Sequence, residues 1–187
     1  SIMNIDPADS RHIPFYRAMA ELGIPLLTHT GMEKSFANAR DELGDPLRLR
    51  LPLEQGVTVI AAHIATTGES DGQDNFERIQ PLFTEYPNLY VDISSLTQIN
   101  KLDYLARALE VDGLTERMLY GTDWPLQFFP LISSWYHLDH IGVGDAWQVS
   151  GFANKWDQDV ALKVAFGVPD DVFRRAATLL KIAPSGQ

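Results

Sequence analysis

The chain contains no cysteine. It therefore has no disulfide framework, no thiolate metal site and no cysteine nucleophile, and any metal ion must be held by His, Asp or Glu. That absence fits a cytoplasmic protein. No apolar run approaches the ~20 residues that span a bilayer, and Ser1-Ile2-Met3-Asn4-Ile5-Asp6 shows neither the basic nor the apolar segment of a signal peptide. Basic side chains are scarce, 15 against 25 acidic, and the net charge of -10 repels phosphate backbones, leaving no basic patch for nucleic acid or an anionic membrane surface. Internal repeats and low-complexity tracts are lacking as well. What is present is an ordinary globular composition, 45% hydrophobic and 21% charged, over 187 residues. A single domain spanning 1–187 of this size buries about 70% of its unfolded surface.

Short apolar runs alternate with helical patterns. Pro25 to Gly31 and Val57 to His63 have the length and β-branched content of buried strands, Leu89 to Ser94 reads as a third strand, and Met118 to Pro125 reads as a short apolar one. Before the first of them Phe15, Ala18, Met19 and Leu22 recur at helical spacing until Gly23, and between the later ones Phe76, Ile79, Leu82 and Phe83 mark another helix and Leu102, Leu105, Ala106 and Leu109 a further one. Asp45-Pro46 opens a helical segment that Pro52 must bend or split, and Pro169-Asp170 opens the last helix. The stretch Thr66 to Asp74 reads as turns, and the region after Pro125 as aromatic and irregular. Corresponding strand positions Leu26, Val59, Val91 and Leu119 lie 33, 32 and 28 residues apart, about the size of a βαβ unit. This is the pattern of an α/β protein with a parallel sheet, open or closed into a barrel.

Reactive residues stand at the ends of three of these runs: His29, His63 and Asp123. In parallel α/β architectures the carboxyl ends of the strands form the site, so the three are placed to converge. Two imidazoles and a carboxylate suit one divalent ion such as zinc or manganese, which points to metal-assisted hydrolysis. Glu33 and Trp124 are candidate substrate contacts. Asp92 sits inside its strand, while His137 and His140, three residues apart, read as a surface pair.

The stretches Leu27-Thr28-His29-Thr30-Gly31, Ile60-Ala61-Ala62-His63 and Tyr120-Gly121-Thr122-Asp123-Trp124-Pro125 resemble the later strands of the metal-dependent amidohydrolase superfamily, in the branch that includes aminocarboxymuconate-semialdehyde decarboxylase. The resemblance implies a TIM (β/α)8 barrel with one divalent metal at its carboxyl-terminal mouth. It implies that His29 matches the metal-binding His of strand five, that His63 matches the strand-six His that ligates metal or activates water, and that Asp123 matches the strand-eight Asp that binds metal and moves a proton. The family's first strand carries a His-x-His pair, and this sequence has none.

Four strands are present where the barrel needs eight, so the chain is expected to be the C-terminal part, about strands 5 to 8, of such a barrel. A missing N-terminal half, or failing that a second copy of the chain, is expected to cover the sheet edges. The expected activity is a hydrolase of the amidohydrolase type acting on a small carboxylated, ester, lactone or amide substrate. Non-oxidative decarboxylation on the same scaffold is the alternative. A catalytically inactive fragment or interaction module, lacking the His-x-His, is the alternative of another class.

Overall fold

Gly23 ends the first helix as its position suggests, adopting φ 65° and donating its N–H back to the helix at Ala20. The structure, a computed structural model, describes residues 4–32, 40–126 and 128–182. Backbone contacts divide the chain into two compact units, one ending at Asp92 and the other beginning at Ile93.

In the first unit, helix α1 (Ile13–Leu22) leads into strand β1 (Leu26–His29). The segment from Asp45 is split at Arg50 into a 3-10 turn and the short helix α2 (Arg50–Glu54), as Pro52 demands. Strand β2 (Val59–Ala62) follows, then a hairpin of β3 (Glu69–Ser70) and β4 (Gln73–Asp74), whose turn residues Asp71 and Gly72 both take positive φ. An Asp-Gly pair suits that turn because neither residue resists the left-handed region. Asp74 then caps helix α3 (Asn75–Glu85) by accepting from the Glu77 N–H, and strand β5 (Leu89–Asp92) closes the unit.

β1, β2 and β5 form a parallel array with β2 in the middle, in the register Leu26↔Val59 to His29↔Ala62 on one side and Val59↔Leu89 to Ala61↔Val91 on the other. All four β2 residues are buried, which is why that run is apolar without alternation. Phe76, Ile79 and Leu82 of α3 are buried too. β1 differs from the buried strand its sequence suggests: Leu27 is 63% exposed. Among the described residues β1 pairs with β2 alone, so one of its edges has no strand beside it. Likewise Phe15 and Leu22 of α1 are exposed, while Tyr16 and Met19 are buried and the Tyr16 hydroxyl donates to Pro7 O.

Gly31, two residues past β1, has φ +90°, and a Cβ there would stand 2.3 Å from the Thr66 carbonyl oxygen. Gly31→Ala should therefore cost roughly 2 kcal/mol and lower Tm by about 6 °C. Differential scanning calorimetry checks this, and an unchanged Tm would show that the Thr66 backbone yields without cost.

The second unit contains helix α4 (Tyr104–Glu110), strand β6 (Met118–Leu119), helices α5 (Val143–Ser150) and α6 (Lys155–Ala165), and helix α7 (Asp170–Leu179). The Leu119 carbonyl accepts from the Ile93 N–H at 3.0 Å. The Tyr120 N–H turns to Val172 O at 3.0 Å, and the Arg175 guanidinium donates to the carbonyls of Thr115 and Met118. β6 is thus only two residues long, and Asp123 lies in the loop beyond it rather than at a strand tip.

The region read as irregular in fact holds α5 and α6. Ile141, Ala146, Val149 and Leu162 make a small core there. Trp147 on α5 is exposed, so the apolar residues of this segment do not form the single stripe that marks a helix in sequence.

Candidate active site

His29 is the last residue of β1, and His63 follows directly on the last residue of β2. Their parallel neighbourhood brings the two imidazoles edge to face, with ring centroids 5.2 Å apart and an interplanar angle of 67°. His63 is 7% exposed. Its backbone N–H donates to Asp92 Oδ1 at 3.1 Å, and its Nδ1 lies 4.0 Å from the same oxygen. Asp92, in-strand by sequence, therefore ends β5 with its buried carboxylate beneath the His63 turn. The Thr30 hydroxyl, next to His29, donates to Ala62 O at 2.6 Å and accepts from the Ala65 N–H at 2.9 Å.

Asp123 belongs to the second unit. It takes φ +53°, and its Oδ2 accepts from the amide Nε2 of Gln98 at 3.1 Å. Gln98 is buried and fixed by its own backbone, donating to Ser95 O and accepting from the Lys101 N–H. Trp124 is 62% exposed, with its ring stacked on Trp156 at 4.7 Å. Glu33 lies outside the described residues.

Sequence reasoning missed Thr30 and Gln98, ordinary polar residues whose partners are distant in sequence. It also missed a buried polar network in the second unit. Lys163 pairs with Asp159 at 2.5 Å, and Asp159 accepts from Thr97 Oγ1 at 3.2 Å and from Tyr120 OH at 3.0 Å. Burial first, and then the Asp159 charge, push the Tyr120 phenol well above its ordinary value. Lys101, also buried, donates to Ser95 Oγ at 2.6 Å.

His137 is a correction: it is buried, not a surface residue, with Nε2–H donating to Thr97 O at 3.0 Å and Nδ1 without a hydrogen-bond partner. His140 instead meets Asp103 Oδ1 at 2.7 Å. Burial is the main reason that His137 holds its proton less firmly than the usual 6.5, with the Thr97 carbonyl opposing. A lowered folded value means that the unfolded chain binds more protons, so this contribution to stability is present above about pH 6.5 and is lost as pH falls below it. In urea unfolding, the stability advantage of wild type over His137→Gln should shrink between about pH 7 and pH 5; an advantage that stays constant would contradict the assignment.

Among the described residues no group of three or more His, Asp and Glu side chains gathers into a metal-holding cluster. What the chain brings together is the imidazole pair. Two neighbouring neutral imidazoles are the donor chemistry that a borderline divalent ion takes as part of a three- or four-ligand set, so His29 and His63 fit a share of such a site.

The model of a protein family described as Amidohydrolase matches residues 3–149. The chain belongs to the amidohydrolase family. Among solved structures this amidohydrolase chain is similar to a Pseudomonas putida protein provisionally assigned as a 2-pyrone-4,6-dicarboxylic acid hydrolase. The TM-score is 0.55 at 18% identity, over 97% of this chain and 60% of the other. It is also similar to an uncharacterized TIM-barrel protein of Bordetella bronchiseptica, with a TM-score of 0.51 at 21% identity, over 92% of this chain and 53% of the other. The chain thus spans a little over half the length of either, and its α/β fold with a parallel sheet is part of a barrel of that type. No protein with curated function matches the sequence significantly. Amidohydrolases are enzymes that generally use a divalent metal. No helix among the described residues is long and apolar enough to cross a membrane.

Proposed function

We propose that this chain is the C-terminal half of a barrel enzyme, working in the cytoplasm, that hydrolyses a small carboxylated, ester, lactone or amide substrate. In this reading His29 and His63 hold one divalent ion, zinc or manganese, and Asp123 handles the proton. The observation that carries it is the pair of imidazoles 5.2 Å apart at the carboxyl ends of adjacent parallel strands, in a chain of the amidohydrolase family. The compound in the name of the Pseudomonas protein, a lactone bearing two carboxylates, belongs to the same substrate class.

When bound, the ion would polarise the scissile carbonyl and make water acidic near pH 7. The chain's residues do the rest. The imidazoles of His29 and His63 fix the reacting group in place, and His63, seated above the Asp92 carboxylate, is also within the chemistry of activating water. Asp123, steadied by the Gln98 amide, takes the proton from the attacking water and returns it to the leaving oxygen or nitrogen. Trp124, exposed beside Asp123, would contact the substrate. The further ligands and the strands that close the barrel come from an N-terminal half, or failing that from a second copy. The open edge of β1 and the exposed Leu27 support that requirement.

The test combines metal analysis of the complete purified enzyme with turnover of carboxylated lactones, esters and amides in isotopically labelled water. Bound zinc or manganese and label in the product acid are expected. Carbon dioxide release without label would identify a decarboxylase, and a protein with neither metal nor turnover would be the inactive module.

A further inference from the structure

The turn that carries His63 runs against the preference of its own residues. His63, Ile64 and Ala65 take φ of 64°, 53° and 51° in succession, a left-handed run that L-residues resist and a β-branched isoleucine resists most. No glycine relieves it. Two side chains, one just past the end of β1 and one at the end of β5, hold it instead. Thr30 Oγ1 donates to Ala62 O at 2.6 Å and accepts from the Ala65 N–H at 2.9 Å, so a single hydroxyl ties the residue before the turn to the residue at its end. Asp92 Oδ1 accepts the N–H of His63 at 3.1 Å. Thr30 and Asp92 are both buried, which shields these bonds from competing water. Gly31 lets the backbone pass close to the Thr66 carbonyl, just beyond the turn.

We propose that Thr30, with Asp92, is a positioning residue that holds the left-handed turn and so aims the His63 imidazole at His29. Thr30 is the chain neighbour of His29, so the clamp couples the two imidazoles: the peptide that presents one ring also fixes the backbone that presents the other. Only a hydroxyl both donates and accepts at this point; a methyl does neither. Without it the turn relaxes toward right-handed or extended backbone and His63 swings away from its neighbour. The role rests on reading His29 and His63 as a metal-holding pair, and the experiment separates the two ideas.

Thr30→Val keeps the branched volume and removes the hydroxyl, and Thr30→Ser keeps the hydroxyl. In the complete enzyme, hydrogen exchange at the His63 and Ala65 amides and the His63 ring resonances are followed by NMR, and zinc binding by titration calorimetry. With Thr30→Val, faster exchange at both amides, displaced His63 signals and a zinc Kd raised about tenfold to a hundredfold are expected, with Thr30→Ser restoring all three to near wild type. Unmoved His63 signals and unchanged exchange overturn the proposal. Displaced signals with unchanged zinc affinity uphold the clamp and remove the metal reading. If Thr30→Val does not fold, the same measurements are made on Thr30→Val/Ala65→Gly, since glycine accepts the left-handed backbone; recovery of the fold is expected, and failure to recover it overturns the proposal.

Discussion

Asp123→Asn in the complete enzyme is expected to lower kcat about a thousandfold, the middle of the range that a positioned proton acceptor supplies. The substitution is nearly isosteric and removes the basic oxygen. It should leave the fold alone, because an asparagine amide can still turn its carbonyl to the Gln98 Nε2 that now donates to Oδ2 at 3.1 Å. A Tm close to wild type together with collapsed turnover is therefore the expected pair of results. Steady-state kinetics at saturating substrate, alongside calorimetry, reads both. Turnover within a few-fold of wild type would remove Asp123 from the chemistry and with it the hydrolytic reading.

Lys163→Met should cost about 3–5 kcal/mol, the loss expected when one partner of a buried ion pair is deleted, and lower Tm by about 10 °C. Lys163 is 1% exposed and Asp159 2%, so no water replaces the ammonium that now lies 2.5 Å from Asp159 Oδ1. The hydroxyls of Thr97 and Tyr120 would still donate to the carboxylate, but two neutral donors do not balance its charge. Asp159→Leu/Lys163→Met should recover part of the loss, because an apolar pair carries no buried charge, while the two hydroxyls left without an acceptor keep it below wild type. A single variant that loses less than about 1 kcal/mol in denaturant unfolding would mean that the pair opens to solvent.

These two sites were unequally legible in the sequence. His29, His63 and Asp123 each follow a short apolar run, and local pattern suffices to place a residue near the end of such a run. The pattern did not show that β6 stops at Leu119, because it is the Val172 carbonyl, far along the chain, that takes the Tyr120 N–H. Nor could it show the left-handed turn at His63. Isoleucine and alanine disfavour it, and the bonds that hold it come from Thr30, just past β1, and Asp92, at the end of β5.

Asp159, Lys163 and His137 illustrate the same limit. Their spacing is what an exposed helix or a surface turn would show, and only tertiary packing reveals that all three are buried. The helices α5 and α6 escaped for a related reason: exposed tryptophans interrupt the apolar stripe from which a helix is recognised. Where burial and periodicity agreed, as in β2 and α3, the sequence sufficed.

The register of β1 on β2 sets His29 opposite Ala62, the residue immediately before His63. Because side chains alternate along a strand, a slip of one residue would turn His29 to the other face of the sheet and bring Thr28 into its place. Strand registry is thus a chemical variable in this protein, because it decides whether the two imidazoles meet. Substitutions at Leu26, Leu27 or Thr28 that shift this register by one residue would part the two imidazoles without altering either.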